Sequence, residues 1–186
     1  MKKYIYIFLV AALLTPLVSS CDEWLEEHPK AIAVDTFYNT VDEANAAIAS
    51  VSNRLRAIIG ASAFPAFMEC FSDYDYGRGT WAPNSTYDIL NVTNKGRTDG
   101  IWTNLYRVVR DANICISKFP EATSLTEAQK SAYIAEARFY RAFAYFDLVR
   151  FWNNVPLRTD TNMDEWDMPL TPAAQIWDFI IDDLTY

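Results

Sequence analysis

The sequence predicts an all-α fold made of stacked helical hairpins of tetratricopeptide-like type, interrupted by one long irregular loop. Three segments place apolar residues at helical spacing, and a fourth, longer segment is apolar on nearly every side. Residues 72–97 show no helical period at all. Successive helices of this kind bury their apolar faces by stacking on one another, although no strict sequence repeat is visible.

Residues 1–20 have the pattern of a secretory signal peptide. Lys2 and Lys3 precede an apolar run, Tyr4–Val18, that is too short to cross a membrane comfortably, and small residues then lead to a cysteine. Cys21 stands where a bacterial lipobox places its lipidated cysteine, so we expect Cys21 to be lipidated and to anchor the mature protein to a membrane. A chance cysteine after an ordinary signal peptide is the alternative.

Residues 21–39 are predicted to be the lipidated cysteine and a tether, and residues 40–186 to form one helical domain. Thr40 and Glu43 have the spacing of a capping box and should open the first helix, which is expected to end near Gly60, in the position after its last turn. The apolar stripe of this helix consists of Ala44, Ala47, Ile48, Val51, Leu55 and Ile58.

Two more helices are predicted before the middle of the chain. One is short, from Ala63 to Phe71, and the other runs from Thr98 or Asp99 to a point before Pro120. The face of the longer helix that should be buried carries Trp102, Leu105, Tyr106, Val109, Ala112, Asn113 and Ile116.

The longest predicted helix extends from about Thr126 to Trp152 and is halted before Pro156. Ser124 and Glu127 have the capping-box spacing at its start. Because this helix is apolar on nearly all sides, we expect it to lie in the middle of the stack, packed on both flanks.

Arg138 and Arg141 lie among aromatic residues on one side of the longest helix. An unpaired buried charge is costly, so we expect both arginines to have carboxylate partners elsewhere in the chain. The candidate partners are Asp111, Asp178 and Asp182, and we interpret these ion pairs as structural rather than functional.

An irregular connection, Arg158–Leu170, is predicted before the last helix. Thr171 should cap that helix, with Pro172 at its first position, where a missing N–H costs nothing. Its apolar face carries Ile176, Phe179, Ile180 and Leu184.

Residues 72–97 are the segment that we expect to bind a ligand. Loops of this length are uncommon unless they are functional or disordered, and the aromatic content of this one argues against disorder. An aromatic ring can stack on the apolar face of a sugar while polar side chains bind its hydroxyls, so the mixture predicts a site for a neutral glycan. Alternatively, the aromatic residues only pin the loop to the helices. The candidate ligand-binding residues are Asp73, Arg78, Trp81, Asn84 and Tyr87.

Charge and motif content exclude several classes of function. The formal net charge of −8 becomes −10 when Lys2 and Lys3 leave with the signal peptide, which argues against a nucleic-acid partner. The single histidine, His28, cannot build a histidine-rich metal site or a Ser-His-Asp triad, and there is no glycine-rich phosphate loop or G-x-S-x-G motif. Asp and Glu are plentiful, but no pair is singled out for glycoside hydrolysis. We therefore predict a non-catalytic protein with no cofactor and no bound metal.

Two further patterns, a partial calcium loop and a cysteine pair, have competing interpretations. The segment DYDYG that begins at Asp73 has the start of a calcium loop, but Arg78 replaces the required glycine and Asn84 the required glutamate. Cys70 and Cys115 are permitted to form a disulfide outside the cytoplasm. Their apolar helical surroundings favour two buried thiols instead.

Residues 136–157, EARFYRAFAYFDLVRFWNNVPL, closely resemble the signature of the SusD/RagB family, whose members are nutrient-binding outer-membrane lipoproteins of Bacteroidota. The resemblance implies an oligosaccharide ligand, a SusC-like TonB-dependent transporter as partner, and attachment to the outer membrane through Cys21. It also implies exposure at the cell surface, since acidic residues follow Cys21. Family members are much longer, which implies that this chain is an N-terminal portion.

The same resemblance points to residues 72–97 as the binding segment. Trp81 best matches the aromatic residue that glycan-binding members carry there, with Asp73, Arg78 and Asn84 as its polar companions. Two alternative functions remain open. One is a peptide-binding member of the same family, and the other is a helical-repeat scaffold for protein docking without a small ligand.

Overall fold

The computed structural model describes residues 37–60, 63–72, 74–88 and 96–186. The predicted signal peptide, the lipidation of Cys21, the tether up to residue 36 and the candidate Asp73 lie outside these residues. The described helices are α1 (Val41–Ile59), α2 (Ala63–Glu69), α3 (Ala82–Ser85), α4 (Gly96–Lys118), α5 (Glu127–Trp152) and α6 (Ala173–Leu184). The other regular elements are the 3-10 turns Gly79–Trp81 and Phe119–Glu121 and the strands β1 (Val155–Pro156) and β2 (Leu170–Thr171).

The four longest helices form one stack. Helix α5 packs against both α4 and α6, and α1 packs against α4 and α5. The strands β1 and β2 pair antiparallel at the base of the α5–α6 connection, with Val155 opposite Thr171. The all-α prediction and the central position of the longest helix are confirmed.

Helix α1 begins and buries its residues as the sequence predicts. The side chain of Thr40 accepts a hydrogen bond from the N–H of Glu43 at 3.3 Å, and the Glu43 carboxylate accepts one from the N–H of Thr40 at 2.8 Å. Gly60 caps the other end in a right-handed conformation, with φ −79°, so it is not the residue after the cap. A Cβ at Gly60 would lie 2.9 Å from the carbonyl oxygen of Arg56, which explains why a glycine occupies this position. The predicted stripe is buried throughout: Ala44, Ala47, Ile48, Val51, Leu55 and Ile58.

Two helix boundaries and the regularity of one segment differ from the prediction. Helix α2 ends at Glu69, two residues early, because the N–H and the hydroxyl of Ser72 both donate to the Glu69 carbonyl oxygen, at 3.0 and 2.6 Å. Helix α4 begins at Gly96, earlier than the predicted Thr98 or Asp99. Residues 72–97 are less irregular than predicted, since α3 and a 3-10 turn lie within them.

Helix α5 is capped by a different pair of residues from the predicted one. The side chain of Thr126 accepts from the N–H of Gln129 at 3.3 Å, and the Gln129 side chain accepts from the N–H of Thr126 at 2.9 Å. Glu127 is already the first residue of the helix. The predicted Ser124–Glu127 box is wrong, because the N–H of Ser124 donates to the side chain of Asn39 at 3.3 Å and Ser124 stays outside the helix.

Helix α6 receives its cap from the end of α5. It begins at Ala173, whose N–H donates to the side-chain oxygen of Asn154 at 3.0 Å. Pro172 therefore precedes the helix instead of occupying its first position, and Thr171 belongs to β2 instead of capping the helix. Because Asn154 lies two residues beyond α5, this cap also ties the two helices together.

A buried cluster of polar residues joins α4, α5 and α6 at Arg141, whose side chain is 2% exposed. Its guanidinium donates to both carboxylate oxygens of Asp183, at 2.7 and 2.8 Å, and to the amide oxygen of Asn113, at 2.6 Å. Asp160, in the α5–α6 connection, accepts a further hydrogen bond at 2.8 Å. Burial acts to lower the pKa of Arg141, but Asp183 and Asp160 outweigh it and raise the pKa. We call these four residues the Arg141 network.

The Arg141 network does not contain any of the three predicted carboxylates. Asp111 is paired with Arg54 and Arg110. Asp178 and Asp182 are exposed on α6. The prediction of these three partners is wrong, because Asp111 is paired with other arginines and because Asp178 and Asp182 lie on the exposed side of α6.

Asp183 is the α6 carboxylate that faces α5. It lies seven residues after Ile176 and three after Ile180, so the three residues share one helix face, and each is at most 4% exposed. Leu184, which was predicted for this face, is 57% exposed. Arg138 also approaches Asp183, at 3.6 Å, so the carboxylate lies between two arginines, as the need for charge compensation predicts.

Candidate functional site

The described part of the predicted binding segment is a compact loop, residues 74–88, which we call the aromatic loop. Its two arms meet where the N–H of Gly77 donates to the hydroxyl of Ser85 at 2.9 Å. Gly77 is buried, and a Cβ there would lie 2.3 Å from the carbonyl oxygen of Trp81, so only glycine fits. The 3-10 turn and α3 form the chain between these two contact residues. The backbone of the loop is therefore closed on itself between Gly77 and Ser85.

Three tyrosines of the aromatic loop are largely exposed, with Tyr74 at 91%, Tyr76 at 69% and Tyr87 at 64%. Tyr87 has a left-handed backbone, with φ 58°, which is uncommon for a residue other than glycine and needs support. Phe71 supplies that support, since its carbonyl oxygen accepts from the Tyr87 hydroxyl at 3.0 Å and the two ring centroids are 5.4 Å apart. Most of the Tyr87 ring nevertheless faces solvent.

The candidate binding residues have different environments. Arg78 and Tyr87 are exposed, and Trp81 is half-buried, so all three present some surface to a ligand. Asn84 is 0% exposed, and neither polar atom of its side chain has a hydrogen-bond partner in the described ranges. An unpaired buried amide costs about 1–3 kcal/mol, and in this conformation Asn84 does not reach a ligand at the surface. Asp73 lies outside the described residues.

A second concave surface, which is not among the predicted sites, lies between α4 and the α5–α6 connection. It is a groove of about 400 Å³, which we call the α4 groove. Its lining includes Tyr106, Arg110, Asn113, Arg158, Met163 and Trp166. The side chain of Trp166 is 97% exposed. A sequence signal for this site was present, since Trp166 stands in the acidic irregular run DEWD and so repeats the mixture of aromatic and polar residues seen in the aromatic loop.

Two phenols near the α4 groove are hydrogen-bonded: that of Tyr106, which lines the groove and is half-buried, and that of Tyr145, which is buried and does not line it. Burial raises the pKa values of both Tyr106 and Tyr145, whose rings are 6.4 Å apart. The Tyr106 hydroxyl donates to the carbonyl oxygen of Pro156 at 2.7 Å, and the Tyr145 hydroxyl donates to that of Arg158 at 2.8 Å. Both phenols are therefore neutral at physiological pH, and they hold the α5–α6 connection against the helices.

The remaining chemical features are structural. Cys70 and Cys115 are both buried free thiols, as predicted, and burial raises the pKa of Cys115 to about 12. Within the described ranges no three or more His, Cys, Asp or Glu side chains are grouped so that they could hold a metal ion. No helix in this part of the chain combines the length and hydrophobicity of a membrane span.

Comparison with known sequences gives one consistent result. The family model described as "Starch-binding associating with outer membrane", of the SusD-like group, matches residues 23–186. A SusD-like protein of Bacteroides ovatus is 33% identical over 96% of this chain and 33% of its own length. A SusD-like protein of Formosa agariphila is 28% identical over 99% of this chain and 37% of its own length. The chain thus spans about a third of the length of these relatives.

Solved structures share the fold. A protein crystallised with a xylogluco-oligosaccharide is 31% identical, with a TM-score of 0.65 over 77% of this chain and 28% of that one. A SusD homologue of Bacteroides thetaiotaomicron is 24% identical, with a TM-score of 0.68 over 82% of this chain and 30% of that one. The family match over residues 23–186 shows that the chain belongs to the SusD-like family, as its EARFYRAFAYFDLVRFWNNVPL segment predicted.

Proposed function

We propose that this chain is the N-terminal helical part of a non-catalytic cell-surface lipoprotein that binds oligosaccharides and hands them to a SusC-like TonB-dependent transporter. The observation that carries the proposal is the aromatic loop, which exposes three tyrosine rings beside Trp81 in a chain of the SusD-like family. Support also comes from the 31% identical protein that was crystallised with a xylogluco-oligosaccharide.

The chemistry of the aromatic loop suits a neutral sugar chain. Ring faces bind the apolar C–H side of a pyranose, and each such contact contributes roughly 0.5–1.5 kcal/mol. Arg78 adds an exposed hydrogen-bond donor at the same loop. Several weak contacts of this kind permit release as well as capture, which a protein that passes its ligand to a transporter requires.

Attachment to the membrane completes the proposal. Residues 1–20 direct export, the acyl chains on Cys21 hold the protein at the outer membrane, and residues 21–39 tether the helical domain, residues 40–186. Tethering raises the local concentration of the binding protein at a transporter in the same membrane. Metabolic labelling with a fatty-acid probe should label the protein and fail to label Cys21→Ser.

Affinity electrophoresis through gels that contain a neutral polysaccharide tests the binding proposal. Migration of the purified protein should be retarded by at least one glycan of a panel, and Trp81→Ala should reduce the retardation without abolishing it. Trp177→Ala is a matched control, because Trp177 is an exposed tryptophan of α6 outside the aromatic loop. Equal retardation of Trp81→Ala and the wild type would remove Trp81 from the site.

One observation favours a second candidate function, that of a protein-docking scaffold. Helices α5 and α6 expose a set of large apolar side chains: Phe139, Phe146, Trp177, Ile181 and Leu184. Co-purification with a transporter barrel, together with no retardation by any glycan in the panel, would favour this scaffold function over sugar binding. Retention of peptides instead of glycans would indicate the peptide-binding alternative.

A further inference from the structure

The α4 groove is bordered by a connection whose backbone is firmly held. The Tyr145 hydroxyl accepts from the N–H of Arg158 at 2.6 Å and donates to its carbonyl oxygen at 2.8 Å. The amide of Asn113 donates to the same carbonyl oxygen at 3.2 Å. Further along, the side chain of Asn162 accepts from the N–H of Thr159 at 2.8 Å and donates to the carbonyl oxygen of Leu157 at 3.0 Å. The first half of the connection is therefore fixed to α4 and α5.

The side chain of Arg158 extends this support to the exposed tryptophan. Its guanidinium donates to the carbonyl oxygen of Glu165 and, at 3.1 Å, to that of Trp166. The backbone of Trp166 is thus held in place, yet its side chain is 97% exposed. A tryptophan whose backbone is held at the edge of a groove and whose ring is left in solvent has the properties of a binding platform, since contact of the ring with a ligand contributes roughly 0.5–1.5 kcal/mol.

The lining of the α4 groove indicates what kind of ligand it accepts. Its volume of about 400 Å³ lies within the range of small-molecule sites. Two guanidinium groups, from Arg110 and Arg158, are balanced by two carboxylates, from Asp164 and Glu165, so the groove carries no net charge that would select an ion. The phenol of Tyr106 is already hydrogen-bonded to Pro156 and offers mainly its ring. A neutral molecule with an apolar face and several hydroxyls fits this lining.

We infer that the α4 groove is a second saccharide-binding site, in which a neutral pyranose ring stacks on Trp166 and its hydroxyls bind the carboxylates of Asp164 and Glu165. The inference rests on the proposed function, because it assigns to the groove the same class of ligand as the aromatic loop. The α4 groove is a different site from the aromatic loop, because none of its described lining residues belongs to residues 72–97.

Tryptophan-specific spectroscopy tests the two sites separately. The full natural protein is labelled with 5-fluorotryptophan, and the 19F signals of Trp166 and Trp81 are assigned by their loss in Trp166→Phe and Trp81→Phe. Titration with neutral oligosaccharides should shift both signals in a saturable manner. A shift of the Trp81 signal alone overturns the second site and leaves the proposed function standing. A shift of the Trp166 signal alone supports the second site and counts against the aromatic loop, and no shift of either signal overturns both.

Affinities of variants supply the independent check. Loss of one stacking ring should raise the Kd at the α4 groove roughly threefold to tenfold in Trp166→Ala, while Trp166→Phe retains most of the affinity. Trp177→Ala, which does not line the groove, should bind as the wild type does. Because Trp166 is almost fully exposed, its truncation should leave the circular dichroism spectrum and the Tm unchanged. An unchanged Kd in Trp166→Ala, or a preference of the groove for charged over neutral saccharides, would overturn the inference.

Discussion

The Arg141 network and the aromatic loop both place polar groups among aromatic side chains, but they differ in whether those groups have hydrogen-bond partners. Every nitrogen of the Arg141 guanidinium donates to a side chain of the network, and the residue is 2% exposed. In the aromatic loop the amide of Asn84 has no hydrogen-bond partner within the described ranges, and three tyrosine rings face solvent. The polar groups of the family signature on α5 are therefore paired inside the fold, whereas the aromatic loop leaves its rings exposed, as the proposed binding role requires.

Removal of Arg141 should produce the largest effect on stability. Arg141→Ala leaves Asp183 buried without its main partner, and breaking a buried ion pair in this way costs about 3–5 kcal/mol. Urea denaturation followed by circular dichroism measures the loss. Lys118→Ala is the control, because Lys118 forms only a surface pair with Glu121, at 3.3 Å, and should cost at most about 1 kcal/mol.

Asp183→Asn keeps the experiment informative if Arg141→Ala does not fold. It retains the shape of the carboxylate and removes its charge, so its cost should be smaller but still larger than that of Lys118→Ala. Equal stability of all three variants would show that the network contributes little and that the contrast with the aromatic loop is wrong.

A buried carboxylate elsewhere on α5 should make stability depend on pH. Burial raises the pKa of Asp147 from 3.8 to about 6, and Arg150 only partly offsets this. The native state therefore binds the proton more tightly than the unfolded chain. Below about pH 4 the group costs nothing, and as the pH rises through about 6 the native state loses up to about 3 kcal/mol of stability.

Asp147→Asn removes this titration. The free energy of unfolding of the wild type should fall relative to that of the variant between about pH 4 and about pH 8. Parallel pH profiles for the two proteins would mean that Asp147 is not desolvated in the native state.

Loss of the Tyr145 hydroxyl should have a moderate effect. Tyr145→Phe leaves the N–H and the carbonyl group of Arg158 without this partner, at a cost of about 1–3 kcal/mol. Tyr140→Phe is the matched control, since the Tyr140 hydroxyl donates only to exposed Glu136, at 3.1 Å, and its removal should be nearly neutral. Thermal unfolding of both variants makes the comparison, and a larger loss in Tyr140→Phe would contradict it.

Features that depend on one helix were readable from the sequence. The six-residue stripe of α1 and its Thr40–Glu43 box are present because helical period and local capping are properties of a single segment. The need of Arg138 and Arg141 for carboxylates was equally readable, because it follows from the cost of a buried charge.

Features that depend on contacts between segments were not readable. Two overlapping capping patterns precede α5, and the contact of Ser124 with Asn39, 85 residues away, decides between them. Asp183 lies on the same face of α6 as the predicted Ile176 and Ile180, but only the packing of α6 against α5 shows that this carboxylate, and not Leu184, completes the buried face. The α4 groove is formed by a helix and a connection that are far apart in the sequence. From composition alone, Trp166 is therefore only an aromatic residue near acidic ones.

Separate changes in stability and affinity would test most directly whether the aromatic loop, and not the signature helix, binds the ligand. Isothermal titration with an oligosaccharide and urea denaturation are performed on Trp81→Ala and Asp183→Asn. Trp81→Ala should lose roughly 0.5–1.5 kcal/mol of binding free energy. Asp183→Asn should be the less stable protein and, while folded, bind the oligosaccharide with unchanged affinity. Full affinity in Trp81→Ala together with weakened binding in folded Asp183→Asn would contradict this assignment.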